Sequence, residues 1–363
     1  MGFIQWLTEP FNETRRLAPP DIAQLGQPGA SSAPSLALGA DTFESLEEQR
    51  LAAVEHRRRC LIVGVPAALA VTGLAYGIFR VFGFDVPDAV LRTAFFGLFP
   101  SFLLVRLAAD GGLYIFRKTA KQRVLSVLAA RQGLEYRMDG VDREILKPFK
   151  EQGVFGAKET SGETEDAFLG TVDGVEVVLF EALRETVSRS RDGSSSRTTV
   201  FHGLCLRLGF PKRFSGTTRV LSEWGVFNKF HEVGNDVPLE RVRLEDARFE
   251  KQFEVLSSDQ VEARYLLTPA LMERLVAAQT VLGPRTRLRA AFHDRFLLLT
   301  LDTRKNRSRW ARMRGKLERL HHFEIKDESK PVDEMEMTRH FEAELAISKD
   351  LVKTLQIRME TRI

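Results

Sequence analysis

Twenty consecutive residues from Cys60 to Phe79, CLIVGVPAALAVTGLAYGIF, carry no formal charge. At ~1.5 Å rise per residue, a helix of that length reaches roughly 30 Å, the thickness of a bilayer's hydrocarbon core. A second run from Ala89 to Leu107, AVLRTAFFGLFPSFLLVRL, follows the turn-rich link Gly83-Phe84-Asp85-Val86-Pro87-Asp88. Its Arg92 and Arg106 sit near the ends, where long side chains reach the headgroups. One such run is compatible with a buried core helix. Two runs joined by so short a link predict a transmembrane helical hairpin in a lipid bilayer, with spans at about 60–80 and 89–108.

The flanking charge predicts the orientation. Arg57, Arg58 and Arg59 precede the first span, and Arg117, Lys118, Lys121 and Arg123 follow the second. Between the spans, Arg80 and Arg92 are offset by Asp85 and Asp88. The positive-inside rule then places both termini in the cytoplasm of a multi-pass protein. A secretory signal is not expected, because the first apolar run starts near residue 60. Met1-Gly2 is not a myristoylation signal, since position 6 is Trp6. Pro66 and Pro100 are expected to kink their helices. Gly73 and Gly77 form a small-xxx-small face suited to the second span or to a second copy in a homo-oligomer. No Asp, Glu, His or Lys lies inside either span, which argues against a channel or transporter.

The 363-residue chain is 44% hydrophobic and 28% charged, which excludes wholesale disorder. Its net charge of +4 is too small to mark a dedicated nucleic-acid-binding protein. Two cysteines exclude a disulfide scaffold and a Cys-based zinc knuckle.

Four regions follow from the patterning. Residues 1–40, rich in Pro, Ala, Ser and Gly, read as a flexible tail. Residues 41–133 read as a helical stalk and the hairpin, with a helix starting near Asp41 or Thr42 and another from Lys118 to Gln132 ending at Gly133. Residues 134–330 read as a cytoplasmic domain, and 331–363 as a closing helix. In the third region Asp142–Glu151 is expected to be helical with Ile145 and Phe149 inward. Hairpins are expected at Val172-Asp173-Gly174 and His293-Asp294, and Ser188–Arg197 reads as a polar loop. Phe201, Leu204, Leu206 and Leu208 mark a further strand. Ser257-Ser258-Asp259-Gln260 reads as a Ser-x-x-Gln capping box before Val261, Tyr265 and Leu266, and Thr268-Pro269 restarts a second helix. Hairpins with a helical pair predict an α+β fold on an antiparallel sheet.

Chemistry is thinly signalled. Asp246, Glu250, Glu254, Asp259 and Glu262 are matched by Arg241, Arg243, Arg248, Lys251 and Arg264, the pattern of a salt-bridged surface with helix caps. Glu163, Glu165 and Asp166 precede a strand. An acidic cluster of Glu165, Asp166, Asp246 and Asp259 is the alternative, which would serve a membrane-tethered hydrolase. His202, His293, His231 and the adjacent His321-His322 do not share ligand spacing, and no His-Glu-x-x-His, Gly-x-Ser-x-Gly or Gly-x-x-x-x-Gly-Lys motif is present. Cys205 reads as a small hydrophobe in a strand, and Cys60 opens the first span. No catalytic residue, metal or cofactor is assigned, and an interaction protein is the leading class. The basic run Arg304, Lys305, Arg307, Arg309, Trp310, Arg312, Arg314 and Lys316 has an interleaved Trp and no acid before Glu318. On a cytoplasmic domain it suits anionic headgroups, with nucleic acid the competing ligand.

The stretch from about Phe201 to Glu324 resembles the bacterial DUF3137 family of membrane proteins. The resemblance is carried by Phe201-His202-Gly203-Leu204, by Leu239-Glu240-Arg241-Val242-Arg243-Leu244-Glu245-Asp246, and by Phe249-Glu250-Lys251-Gln252-Phe253-Glu254-Val255. Its strongest piece is Ser257-Ser258-Asp259-Gln260-Val261-Glu262-Ala263-Arg264-Tyr265-Leu266-Leu267-Thr268-Pro269, with Glu165-Asp166, Gly170 and Phe323-Glu324 also similar. The stretch 304–322 departs from it in being longer and more basic. The resemblance implies two membrane spans, a cytoplasmic domain, the bacterial inner membrane and no assigned catalysis. It also implies a LemA-type membrane protein as a conceivable partner.

Overall fold

The computed structural model describes residues 40–156, 161–172, 174–189, 195–210, 212–222, 238–281 and 287–302. The expected N-terminal tail, the basic run and the closing helix therefore lie outside the described residues, as do His231, His321 and His322. The fold is α+β: two long apolar helices precede an antiparallel-sheet domain. The chain divides into two compact units, with the division falling between Val124 and Leu125.

The first unit is built on helix α1, Ala40–Val81, which returns through α2, Val86–Thr93, a five-residue π-helical segment Ala94–Leu98, and α3, Phe99–Arg131. The reversal has a local cause. Gly83 adopts φ +82°, and the N–H groups of Gly83 and Phe84 donate to the carbonyls of Arg80 and Phe79 at 3.1 and 3.2 Å. This is a Schellman closure, and its usual apolar contact is an edge-on pair of Phe79 and Phe84 rings at 5.9 Å. Pro87 stands at the start of α2, where its missing N–H costs nothing. Pro100 has no N–H to offer the carbonyl one turn earlier. The ladder widens just before it, into the π segment.

Three glycines let the antiparallel helices approach. A Cβ at Gly64 would lie 2.9 Å from Val105 Cγ1, one at Gly97 would lie 3.3 Å from Ala75 Cβ, and one at Gly112 would lie 3.4 Å from His56 Cδ2. His56 Nε2 is 3.3 Å from the Ala108 carbonyl and 3.4 Å from Cys60 Sγ, which fixes the register at the base of the hairpin. Gly73 and Gly77 are not used in this packing: a Cβ at either meets nothing within 4 Å among the described residues.

The second unit holds a nine-stranded sheet. Its strands are β1 Leu134–Arg137, β2 Ser161–Val172, β3 Val175–Arg189, β4 Ser195–Gly209, β5 Thr218–Ser222, β6 Glu240–Val242, β7 Phe253–Ser257, β8 Arg287–His293 and β9 Phe296–Asp302. The order is β1-β2-β3-β4-β9-β8-β5-β7-β6, with every neighbouring pair antiparallel. Hairpins sit where turn residues put them: Val172 pairs with Val175, and His293 pairs with Phe296 across Asp294 at φ +54°. The polar segment after Ser188 is shorter as a loop than its composition suggests. Serine, threonine and arginine side chains tolerate a solvated ladder, so β3 runs to Arg189 and β4 starts at Ser195.

The middle of β3 is buried on both faces, from Val177 to Arg184. On one face, helix α4 (Arg143–Glu151) and the turn after it deliver Leu146, Phe149, Val154 and Phe155 onto Val178, Phe180, Ala182, Phe201 and Cys205. The Phe149 ring lies 5.3 Å edge-on to Phe180 and 6.0 Å from Phe155, and Phe155 is 5.1 Å from Phe201. Phe149 faces inward as its helical spacing predicts. Its neighbour Leu146 is buried there too, while Ile145 is only half-buried.

Candidate functional site

The largest chemical feature of the first unit is its uncovered apolar surface. Both helices are long and apolar enough to cross a membrane. Within their most apolar 18-residue stretches, none of the first and 11% of the second is buried, unlike the core helix of a globule. Leu69, Leu74, Leu91, Phe95, Phe99, Leu104 and Leu107 are all at least 60% exposed. A contiguous patch on this scale marks an interaction with a membrane or partner.

Charge brackets that surface. At the base, Asp110 forms ion pairs with Arg106 at 2.9 Å and with Arg57 of the other helix at 3.3 Å. Glu55 likewise sits between Arg59 at 3.0 Å and Arg58 at 3.9 Å. At the tip, Arg80 donates to the Phe84 carbonyl at 2.9 Å, and the Arg92 guanidinium stacks 4.4 Å over the Phe84 ring.

In the second unit, the carboxylates singled out from sequence lie at two separate places. Glu165 and Asp166 are in β2, where the β2–β3 register shifts, and Asp166 is fully buried at φ +52°. Tyr136 donates to Asp166 Oδ1 at 2.6 Å, and the Asp166 N–H donates to the Met138 carbonyl at 3.2 Å. Burial, and then the charge of Asp166, raises the Tyr136 phenol above its ordinary value, so it remains a donor. Asp246 and Asp259 instead cap helices α5 (Ala247–Glu250) and α6 (Gln260–Leu266). Five strands separate β2 from β7 in the sheet order, so the structure does not join these four residues in one cluster. Among the described residues, no group of three His, Cys, Asp or Glu side chains is arranged to hold a metal ion.

The caps explain why the region is so acidic. Asp246 Oδ1 accepts from the N–H groups of Arg248 and Phe249 at 2.8 and 3.2 Å, and those hydrogen bonds hold its carboxyl below the usual value. Asp259 Oδ1 accepts from Val261 and Glu262 at 3.0 and 2.9 Å. The expected Ser257–Gln260 capping box is therefore displaced. Ser257 is the last residue of β7, its hydroxyl accepts from Asp259 N at 3.0 Å, and Gln260 donates sideways to Glu240 at 3.0 Å. Asp outcompetes Ser because its charge also meets the positive end of the helix. Thr268 caps the next helix, α7 (Pro269–Val281), its hydroxyl accepting from Leu271 N at 3.1 Å.

Glu262 is the residue whose role sequence reasoning missed. It is only 4% exposed, and its two oxygens accept from the N–H groups of Ser215 and Gly216, both at 2.8 Å. Ser258 Oγ accepts from Thr217 N at 2.9 Å, and Thr217 Oγ1 lies 2.8 Å from His293 Nδ1. The strongest family-like segment is thus a corner that clamps residues 215–217 with side-chain acceptors. The available signal was the position of Glu262 three residues after the Asp259 cap, on the inner side of the first helical turn.

Two long apolar helices ahead of an antiparallel-sheet α+β domain are the class of protein these elements define. The family model described as protein of unknown function (DUF3137) matches residues 199–357, the stretch that includes most of the sheet after the start of β4. No curated protein matches the chain. Among solved structures, it is similar to the mycobacterial trehalose monomycolate transport factor A, TtfA, at 13% identity and a TM-score of 0.34, over 65% of this chain and 96% of that one.

Proposed function

We propose that the hairpin anchors this chain in the bacterial inner membrane with both termini cytoplasmic, and that the α+β unit is a binding or scaffold module engaging a protein partner or the anionic membrane surface. The carrying observation is the exposure of the apolar hairpin, since water penalises each Å² of such surface by about 25 cal/mol. Four arginines at the base against two at an acid-balanced tip support the orientation. The employment of Asp246 and Asp259 in caps, away from Asp166, supports binding over the hydrolase alternative. On this reading, the basic run Arg304 to Lys316 is a second contact for anionic lipid. Gly73 and Gly77, left uncovered in the hairpin, offer a face to a second copy, and a LemA-type protein is the partner to try first.

The test is topological. Single cysteines placed at Asp85 and at Asp142, in a chain with Cys60 and Cys205 replaced by alanine, are labelled in intact spheroplasts with an impermeant maleimide. The Asp85 position labels and the Asp142 position labels only after lysis. Release of the protein from membranes by alkaline carbonate, or the reverse labelling pattern, refutes the reading.

A further inference from the structure

We propose that the base of the hairpin is a binding site for the phosphate headgroup of anionic phospholipid, formed by Arg57, Arg58, Arg59 and Arg106. The proposal rests on the membrane reading and adds a ligand to it.

The geometry repeats one device twice. Glu55 is shared by Arg58 and Arg59, and Asp110 is shared by Arg57 and Arg106. Each carboxylate thereby orders two guanidinium forks while neutralising only one, so four cations face two anions and the base keeps a net charge of +2. A guanidinium presents five N–H donors in a rigid plane. It can hold a carboxylate with one edge and two phosphate oxygens with another, which a lysine cannot do. The Arg57–Asp110 bridge joins the two helices, so the forks of both are kept at one level.

Accessibility and surroundings fit an amphiphile. The side chains of Arg58 and Arg59 are 73% and 63% exposed. Next along the helices, away from the base, come exposed Ile62, Val63, Leu103 and Leu104, an apolar wall beginning where the cations end. An anionic head with hydrocarbon tails meets both surfaces at once. The tip offers no equivalent: Arg80 and Arg92 are engaged by Phe84, and Asp85 and Asp88 cancel their charge.

The test uses the full chain in phosphatidylcholine vesicles carrying trace spin-labelled phosphatidylglycerol or spin-labelled phosphatidylcholine, and compares the fraction of each that the protein immobilises. The unaltered chain selects phosphatidylglycerol, about fivefold for each net positive charge before screening. Arg58→Gln with Arg59→Gln removes that net charge, and selectivity falls at least fivefold. Glu55→Gln frees the same two forks and raises it. Arg80→Gln with Arg92→Gln leaves it unchanged. Selectivity that is the same in all four proteins, or lost equally on changing the tip, overturns the proposal while immobilised phosphatidylcholine still supports insertion. Absence of any immobilised lipid overturns the membrane reading and this proposal with it.

Discussion

Replacing Glu262 by alanine tests whether the corner after β7 is held by one buried carboxylate. The side chain accepts two backbone N–H groups at 2.8 Å with 4% of its surface exposed, so neither hydrogen bond is exchanged cheaply for water. A hydrogen bond to a charged group contributes about 1.5–3 kcal/mol, and burying an N–H without an acceptor costs about 1–3 kcal/mol. The two bonds share one carboxylate and are not additive, so the expected loss is about 3 kcal/mol. Glu262→Gln keeps one acceptor oxygen and turns an N–H₂ toward the second amide, so about half the loss is expected. The assay is amide hydrogen exchange of the full chain, read in peptides spanning residues 212–222. Where exchange proceeds through opening of this corner, ~3 kcal/mol corresponds to exchange roughly 150-fold faster at Ser215 and Gly216. Unchanged protection at those two amides in Glu262→Ala would mean that the loop is held by its neighbours, and the clamp argument would be wrong.

Two further outcomes follow. Tyr136 has a phenol raised above its ordinary 10.0 by burial and by Asp166, so the folded chain keeps a proton that the unfolded chain loses. Its contribution to stability is present below about pH 10 and declines as pH rises beyond that. Tyr136→Phe should therefore flatten the alkaline limb of a stability–pH profile, and an unchanged limb would count against the buried hydrogen bond. In the hairpin, a Cβ at Gly97 lies 3.3 Å from Ala75 Cβ, close to disulfide spacing. Ala75→Cys with Gly97→Cys, in a chain lacking Cys60 and Cys205, should cross-link on mild oxidation. Gly73→Cys with Gly97→Cys should not, and the opposite result would shift the helix register.

The hairpin turn was readable because its signals, Gly83, Asp85, Pro87 and Asp88, all lie within six consecutive residues. Asp246 and Asp259 were readable as caps for the same reason, although the rival Ser257 could only be dismissed once β7 was seen to claim it. Ile145 and Leu146 exchanged prominence in the core because a nine-residue helix presents its inner face according to what it packs against, here Phe180 and Phe201. The separation of Asp166 from Asp259 was not legible, since it depends on a strand order that brings β9 and β8 between β4 and β5.

From the amino-acid order alone came the uncharged runs, their charged borders, the turns and the helix starts. Each is decided by neighbours within a few positions, through chain stiffness, local hydrogen bonding and side-chain polarity. Tertiary structure alone decided which glycines face a helix, that Glu262 is an internal acceptor and that Tyr136 meets Asp166. The Glu262 and Tyr136 contacts join residues 30 or more apart in the chain. Their energies arise only when distant backbone is brought together and water is expelled from between.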